Sequence, residues 1–156
     1  MSGRSINRRG FLESTAGTAA ALTGGAVLGP SALAKESTSS QTTAESLVQQ
    51  LYGTFTETQK KTICFDWNHR DKKRGLLRTF VANNWNITKP EINADFYTDD
   101  QRDLIQGVFE AIIHPEWHER FYQQLEDDAG GFGNEQSIAI FGKPGDGKFE
   151  MVMTGR

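Results

Sequence analysis

Apolar positions along the chain change period from 3.6 to 2 near Ser137, and that change divides helices from strands. Over Glu45 to Tyr52, Leu47, Val48 and Leu51 share one helical face. Thr56-Glu57-Thr58-Gln59 then has capping-box spacing, which predicts a second short helix running towards Phe65. The same spacing at Thr98-Asp99-Asp100-Gln101 opens the clearest helix, with Leu104, Ile105, Val108, Phe109, Ile112 and Ile113 on one face. Acids in its first turn match the helix dipole. Pro115 ends that helix and occupies the first position of the next, which is expected to bury Trp117, Phe121, Tyr122 and Leu125 before Ala129-Gly130-Gly131 stops it. Beyond Ser137, Ile138 and Ile140 alternate on one strand face and Phe149, Met151 and Met153 on another, joined by Lys143 to Lys148. The pattern predicts an α+β domain: several short helices, then a C-terminal β-hairpin belonging to a larger antiparallel sheet. A lone hairpin with a free edge is expected to be marginal and to favour self-association.

Ahead of the domain, Arg8-Arg9 precede Gly10, Phe11 and Leu12. An Ala/Gly/Thr-rich apolar run from Ala16 to Leu28 follows, then Pro30 and the small-residue site Ala32-Leu33-Ala34. That order of parts is a twin-arginine export signal, cleaved after Ala34, with an ordinary secretory signal or an uncleaved anchor as the alternatives. The apolar run is too short and too glycine-rich to span a bilayer stably. Glu13 stands where a basic residue is common. The reading implies the twin-arginine translocation machinery as a partner, no stable membrane anchor after cleavage, and a periplasmic or extracellular destination. Lys35 to Thr43, polar and Ser/Thr-rich, reads as a linker to a domain over 44–156.

Of 17 basic and 20 acidic residues, cleavage would remove three and one, leaving 14 against 19. An acidic exported domain is ill suited to nucleic acid, which needs a basic footprint. The one cysteine, Cys64, excludes an internal disulfide and a self-contained iron–sulfur site, and there is no Cys-x-x-Cys-His for haem, so the sequence names no cofactor. Between Ile63 and Phe65, Cys64 reads as a buried apolar thiol, with a reactive cysteine as the alternative.

Four groups of residues bear on chemistry. Gly142 to Lys148 fits half of a phosphate-binding loop, but Phe149 replaces the Ser/Thr that binds magnesium and a strand follows where a helix is needed. His114 and His118 have the spacing of a metal pair, with His69 as a possible third ligand, although Pro115 pushes His114 out of the helix. Glu126, Asp127 and Asp128 before Gly130, Gly131 and Gly133 form an acidic loop without the acid spacing of an EF-hand. Finally, His69 to Arg74 with Lys60, Lys61 and Arg78 is the only basic stretch, against twelve acids and three bases over Lys89 to Glu135. Such asymmetry steers anionic ligands such as a cell-wall polymer or phosphate; its plainer reading is a solvated face.

Thr56 to Lys60 after a leucine-rich helix, Trp85, Thr98 to Arg102 at the head of the long helix, Phe141-Gly142-Lys143-Pro144 and Gly155 together resemble an uncharacterised family of exported bacterial proteins, over roughly Glu45 to Arg156. In that family the last strand continues as Gly-His-His, where this chain has Gly155-Arg156. The resemblance implies no activity, and implies that a histidine-centred site would lie mainly beyond Arg156, the chain being the front part of a longer protein. Two classes of function stay open: a non-catalytic binding or interaction domain of the cell envelope, and a metal-dependent enzyme or metal-binding protein combining His69, His114 or His118 with residues beyond Arg156.

Overall fold

The computed structural model describes residues 32–156, with side chains from Thr43 onward; Arg8, Arg9, Phe11 and Leu12 lie outside the described residues. Helix α1 runs over Ala32–Thr54. It therefore takes in Ala32 and Ala34 and passes through the 35–43 segment. Ala44, Val48 and Leu51 form its buried stripe. Helix α2 covers Glu57–Ile63 behind the Thr56 cap and helix α3 covers Asp99–Ile112 behind the Thr98 cap, each with both bonds of a capping box.

The two boxes are joined. Gln59 Nε2 donates to Gln101 Oε1 (2.8 Å) and to the Phe96 carbonyl (2.7 Å), while Gln101 Nε2 donates to Gln59 Oε1 (3.3 Å) and the Thr54 carbonyl (3.2 Å). Both amides are buried, and each also closes its own helix N-terminus by accepting the cap residue's N–H. One pair of side chains thus satisfies orphan backbone groups on two helices and ties them to the end of α1.

Strand β1 is the two-residue Cys64–Phe65, followed by the small hairpin of β2 (Arg70–Asp71) and β3 (Gly75–Leu76) and a 3₁₀ turn over Leu77–Thr79. After α3, a 3₁₀ turn over Pro115–Trp117 leads into α4, His118–Ala129. Gly130 closes α4 in the left-handed conformation (φ +73°): its N–H reaches the Glu126 carbonyl and that of Gly131 the Leu125 carbonyl. Strands β4 (Gln136–Gly142) and β5 (Phe149–Gly155) form the expected antiparallel hairpin, with Ile138 opposite Met153 and Ile140 opposite Met151. The third strand corrects the expectation of an antiparallel sheet. β1 pairs with β4 in parallel, Cys64 opposite Ile140, giving a mixed sheet of order β1-β4-β5.

β4 is consequently buried on both faces. Ile138 and Ile140 pack against Leu51, Ile63, Ile105 and Val108 beneath α1 and α3, while Ala139 and Phe141 meet Leu77 and Ile87 on the other side, where half-buried Val152, Trp67 and Trp85 close a second, smaller core. Each such aliphatic side chain contributes about 1.5–3 kcal/mol on burial. Tyr97 is buried in the first core with no hydrogen-bond partner for its hydroxyl among the described residues, and burial raises its pKa.

Two expectations for the helical face are corrected. Ile112, the last residue of α3, is 70% exposed. Trp117 and Phe121 are also exposed: α4 buries no residue fully, and of the four apolar residues expected inside only Tyr122 and Leu125 turn part-way inward, where Tyr122 meets Phe109 and Phe132.

Candidate functional site

The histidines are placed apart in function. The His114 ring caps the 3₁₀ turn, accepting the Glu116 N–H at Nδ1 (3.4 Å). His118 Nε2 lies 3.1 Å from the Glu110 carbonyl and 3.0 Å from that of Ile113. Both neighbours are acceptors, so this nitrogen carries the proton and supplies a donor to the open C-terminal end of α3; it offers no lone pair to a metal. His69 stacks on Phe65 with ring centres 4.7 Å apart. Among the described residues, no group of three His, Cys, Asp or Glu side chains is arranged to hold a metal ion.

The acidic glycine loop is stitched by side-chain amides. Asn134 donates to the Gly130 carbonyl (2.5 Å), Asn93 donates to Asn134 Oδ1 (2.8 Å) and to the Phe132 carbonyl (2.9 Å), and Gln136 accepts the Gly133 N–H (2.6 Å). Gly142 to Lys148 is the β4–β5 connection, with Lys143 paired to Asp146 at 3.0 Å, so the phosphate-loop likeness ends at the sequence. Burial pushes the half-buried Cys64 thiol up to about 11, against a lowering influence from Lys60.

The basic stretch acquires a structure that its sequence does not show. Between β1 and β2 the chain turns through Asp66 to His69, closed by the His69 N–H on the Asp66 carbonyl, and presents Trp67 half-buried. The Arg78 guanidinium lies 4.0 Å from the centre of that indole, donates through Nε to the Trp67 carbonyl (3.4 Å) and through Nη1 to Glu150 (2.8 Å) on β5. Lys148, from the β4–β5 connection, brings its Nζ to 4.7 Å from the same ring. Arg74 sits 5.5 Å over Trp85, bonds Asp71 at 3.3 Å and donates to the Ile87 carbonyl. The β2–β3 turn is set by Asp71, whose carboxylate accepts the Arg74 and Lys73 N–H groups at 2.8 Å; these bonds, with the Arg74 side chain, hold its pKa down at about 2.

The outcome is a face in which two indole rings hold three cations, Arg74 and Arg78 from one stretch of the chain and Lys148 from another. Arg78 and Arg74 are neutralised by Glu150 and Asp71, whereas exposed Lys72, Lys73 and Lys148 have no ion-pair partner among the described residues. Sequence reasoning found Arg74 and Arg78 but missed Trp67, Trp85 and Lys148, because what joins them is contact between segments distant along the chain. A second, polar cleft is lined by Asn84, Asn86, Glu91, Glu135, Gly155 and Arg156. Asn84 (φ +47°) and Glu135 (φ +56°) hold left-handed backbone there. Its one cation, Arg156, lies 3.5 Å from Glu135, which leaves Glu91 as the unneutralised charge of the lining.

Among the described residues, neither arrangement pairs a nucleophile with a base. The fold defines an α+β domain with a basic, indole-bearing face. No protein-family model, curated protein or solved structure matches the chain. Among the described residues no helix is long and apolar enough to cross a membrane.

Proposed function

We propose that the chain is a non-catalytic binding protein of the cell envelope, exported through the twin-arginine route, whose domain holds an anionic polymer on the face around Trp67. The observation that carries this reading is the placing of Arg78 and Lys148 on one indole, at 4.0 and 4.7 Å, from segments about seventy residues apart. A cation over an indole is worth about 0.5–1 kcal/mol at an exposed site, which positions the charge without burying it. Lys72 and Lys73 extend the positive potential along the neighbouring turn, and a repeating carboxylate or phosphate polymer would engage several of these charges together.

Titration of the full chain with a soluble polyuronate at low salt should show binding that weakens steeply as salt is added. Lys148→Ala and the pair Lys72→Ala/Lys73→Ala should each reduce affinity about three- to fivefold per lysine, the loss of roughly 0.7–1 kcal/mol of surface attraction. Binding that ignores salt, or survives loss of all three lysines, would refute the assignment. For the export half, replacing Arg8 and Arg9 by lysines should retain the protein in the cytoplasm with its thermal melt unchanged, since the pair is read by a receptor. Undiminished export of that variant would remove the twin-arginine route.

A further inference from the structure

β5 is the outer strand of the sheet, and its free side can be read from the backbone bonding. Ser137 pairs with Thr154 on one side of β4 and bridges Glu91 on the other, with the Ile92 N–H on the Gln136 carbonyl at 2.9 Å. Backbone groups along a strand point alternately to its two sides. The odd-numbered residues of β4 therefore face β5, and their partners Glu150, Val152 and Thr154 face back. The N–H and C=O groups of Phe149, Met151 and Met153 point outward, where they meet no backbone partner among the described residues.

Beside this edge lies a groove of about 410 Å³ whose apolar lining includes Val48 from α1, Val108 and Ile112 from α3, and Phe149 and Met151 from β5. Of the three strands only β5 lines it, so it opens along the outer edge. Exposed Ile112 stands at its lining. A row of unpaired main-chain groups beside an apolar groove is the arrangement that accepts an added strand, with main-chain bonds supplying affinity and the groove taking alternate side chains.

We propose that β5 pairs antiparallel with β5 of a second copy of this chain across a two-fold axis, its apolar side chains closing the groove. The strand is complementary to itself. With the axis at Val152, Met151 faces the partner's Met153 and Phe149 faces the partner's Gly155, which leaves room for the ring. Glu150, the only charge within β5, faces the partner's Thr154 and lies diagonal to the partner's Arg156, so no like charges oppose within the strand. Every contact off the axis occurs twice, and Val152 meets its own copy on it, as a two-fold interface requires. Seven residues on each side with the groove between would cover on the order of 600 Å² per copy, the lower end of stable interfaces.

Sedimentation of the full chain across roughly micromolar to hundred-micromolar concentration should show a concentration-dependent shift from 17.4 kDa to twice that mass. Ile112→Lys, at an exposed position, should raise the dissociation constant at least about tenfold with the melt unchanged. Met153→Pro, which removes an outward N–H, should do the same. In the wild type, exchange of the Phe149, Met151 and Met153 amides should slow as concentration rises. A monomer at every concentration overturns the proposal, as does a dimer indifferent to both substitutions. Protection of those amides in a monomer overturns it too, by giving the edge to another segment of the same chain.

Discussion

Gly155→Ala is expected to be the most damaging small substitution in the domain, lowering stability by about 3 kcal/mol or more. Gly155 sits at φ +145°, and a Cβ there would run into the Glu135 carbonyl oxygen and come within 2.7 Å of Gln136 Cα. Both obstacles are backbone, so no side chain can move aside; β5 would have to shift against β4 at the point where Gln136 Nε2 donates to the Arg156 carbonyl (2.6 Å). Gly142 at the other end of the hairpin meets the same problem, its added Cβ colliding with the Lys148 carbonyl oxygen at φ +76°. Gly53 supplies the control. It lies in α1 with nothing within 4 Å of an added Cβ, so Gly53→Ala should gain about 0.5–1 kcal/mol from helix propensity. Denaturant midpoints of the three variants check this, and a Gly155→Ala protein as stable as the wild type would mean that β5 does not pair with β4 in the register described.

The second large effect is expected at the joined amides. Gln101→Leu removes the acceptor of the Thr98 N–H and one partner of buried Gln59, and Gln59→Leu does the same to Thr56 and Gln101. Each leaves buried polar groups unmet and should cost about 2–3 kcal/mol. The double variant should cost less than the two together, by roughly 1 kcal/mol, because neither leucine then faces an orphaned amide. Strict additivity in a double-mutant cycle would show that the amides act only as separate caps.

Local features of this chain were legible because their causes are local. Thr56 and Gln59, or Thr98 and Gln101, are three residues apart and meet in any chain that begins a helix there, so both helix starts were readable. The alternation of Ile138 and Ile140, and of Phe149, Met151 and Met153, likewise fixed the hairpin and the side that faces the helices, since a strand has only two faces.

The candidate site was legible only in part. Arg74 and Arg78 stood out as members of a charge run, but Trp67 looked like any aromatic and Lys148 like a turn residue. His114 and His118 have the spacing of a metal pair, with capping as the plainer reading; in the structure the first caps a 3₁₀ turn and the second meets the carbonyls that end α3. Spacing describes a helix face, and Pro115 had already broken that helix.

By itself the sequence determined the helix starts behind Thr56 and Thr98, the hairpin, the glycine stop after Ala129 and the α+β class, all of which depend on residues within a few positions of one another. Only the tertiary structure decided that Cys64-Phe65 pairs in parallel with Ile140-Phe141, which makes β4 a central strand buried on two sides. A two-residue strand has no periodicity to read. It also decided that Gln59 meets Gln101, 42 residues away, that Trp117 and Phe121 remain in solvent, and that Arg78 and Lys148 converge on Trp67. Those outcomes depend on which surfaces the chain can bring together at the least cost in loop entropy and unsatisfied polar groups, a competition settled across the whole domain rather than within any segment of it.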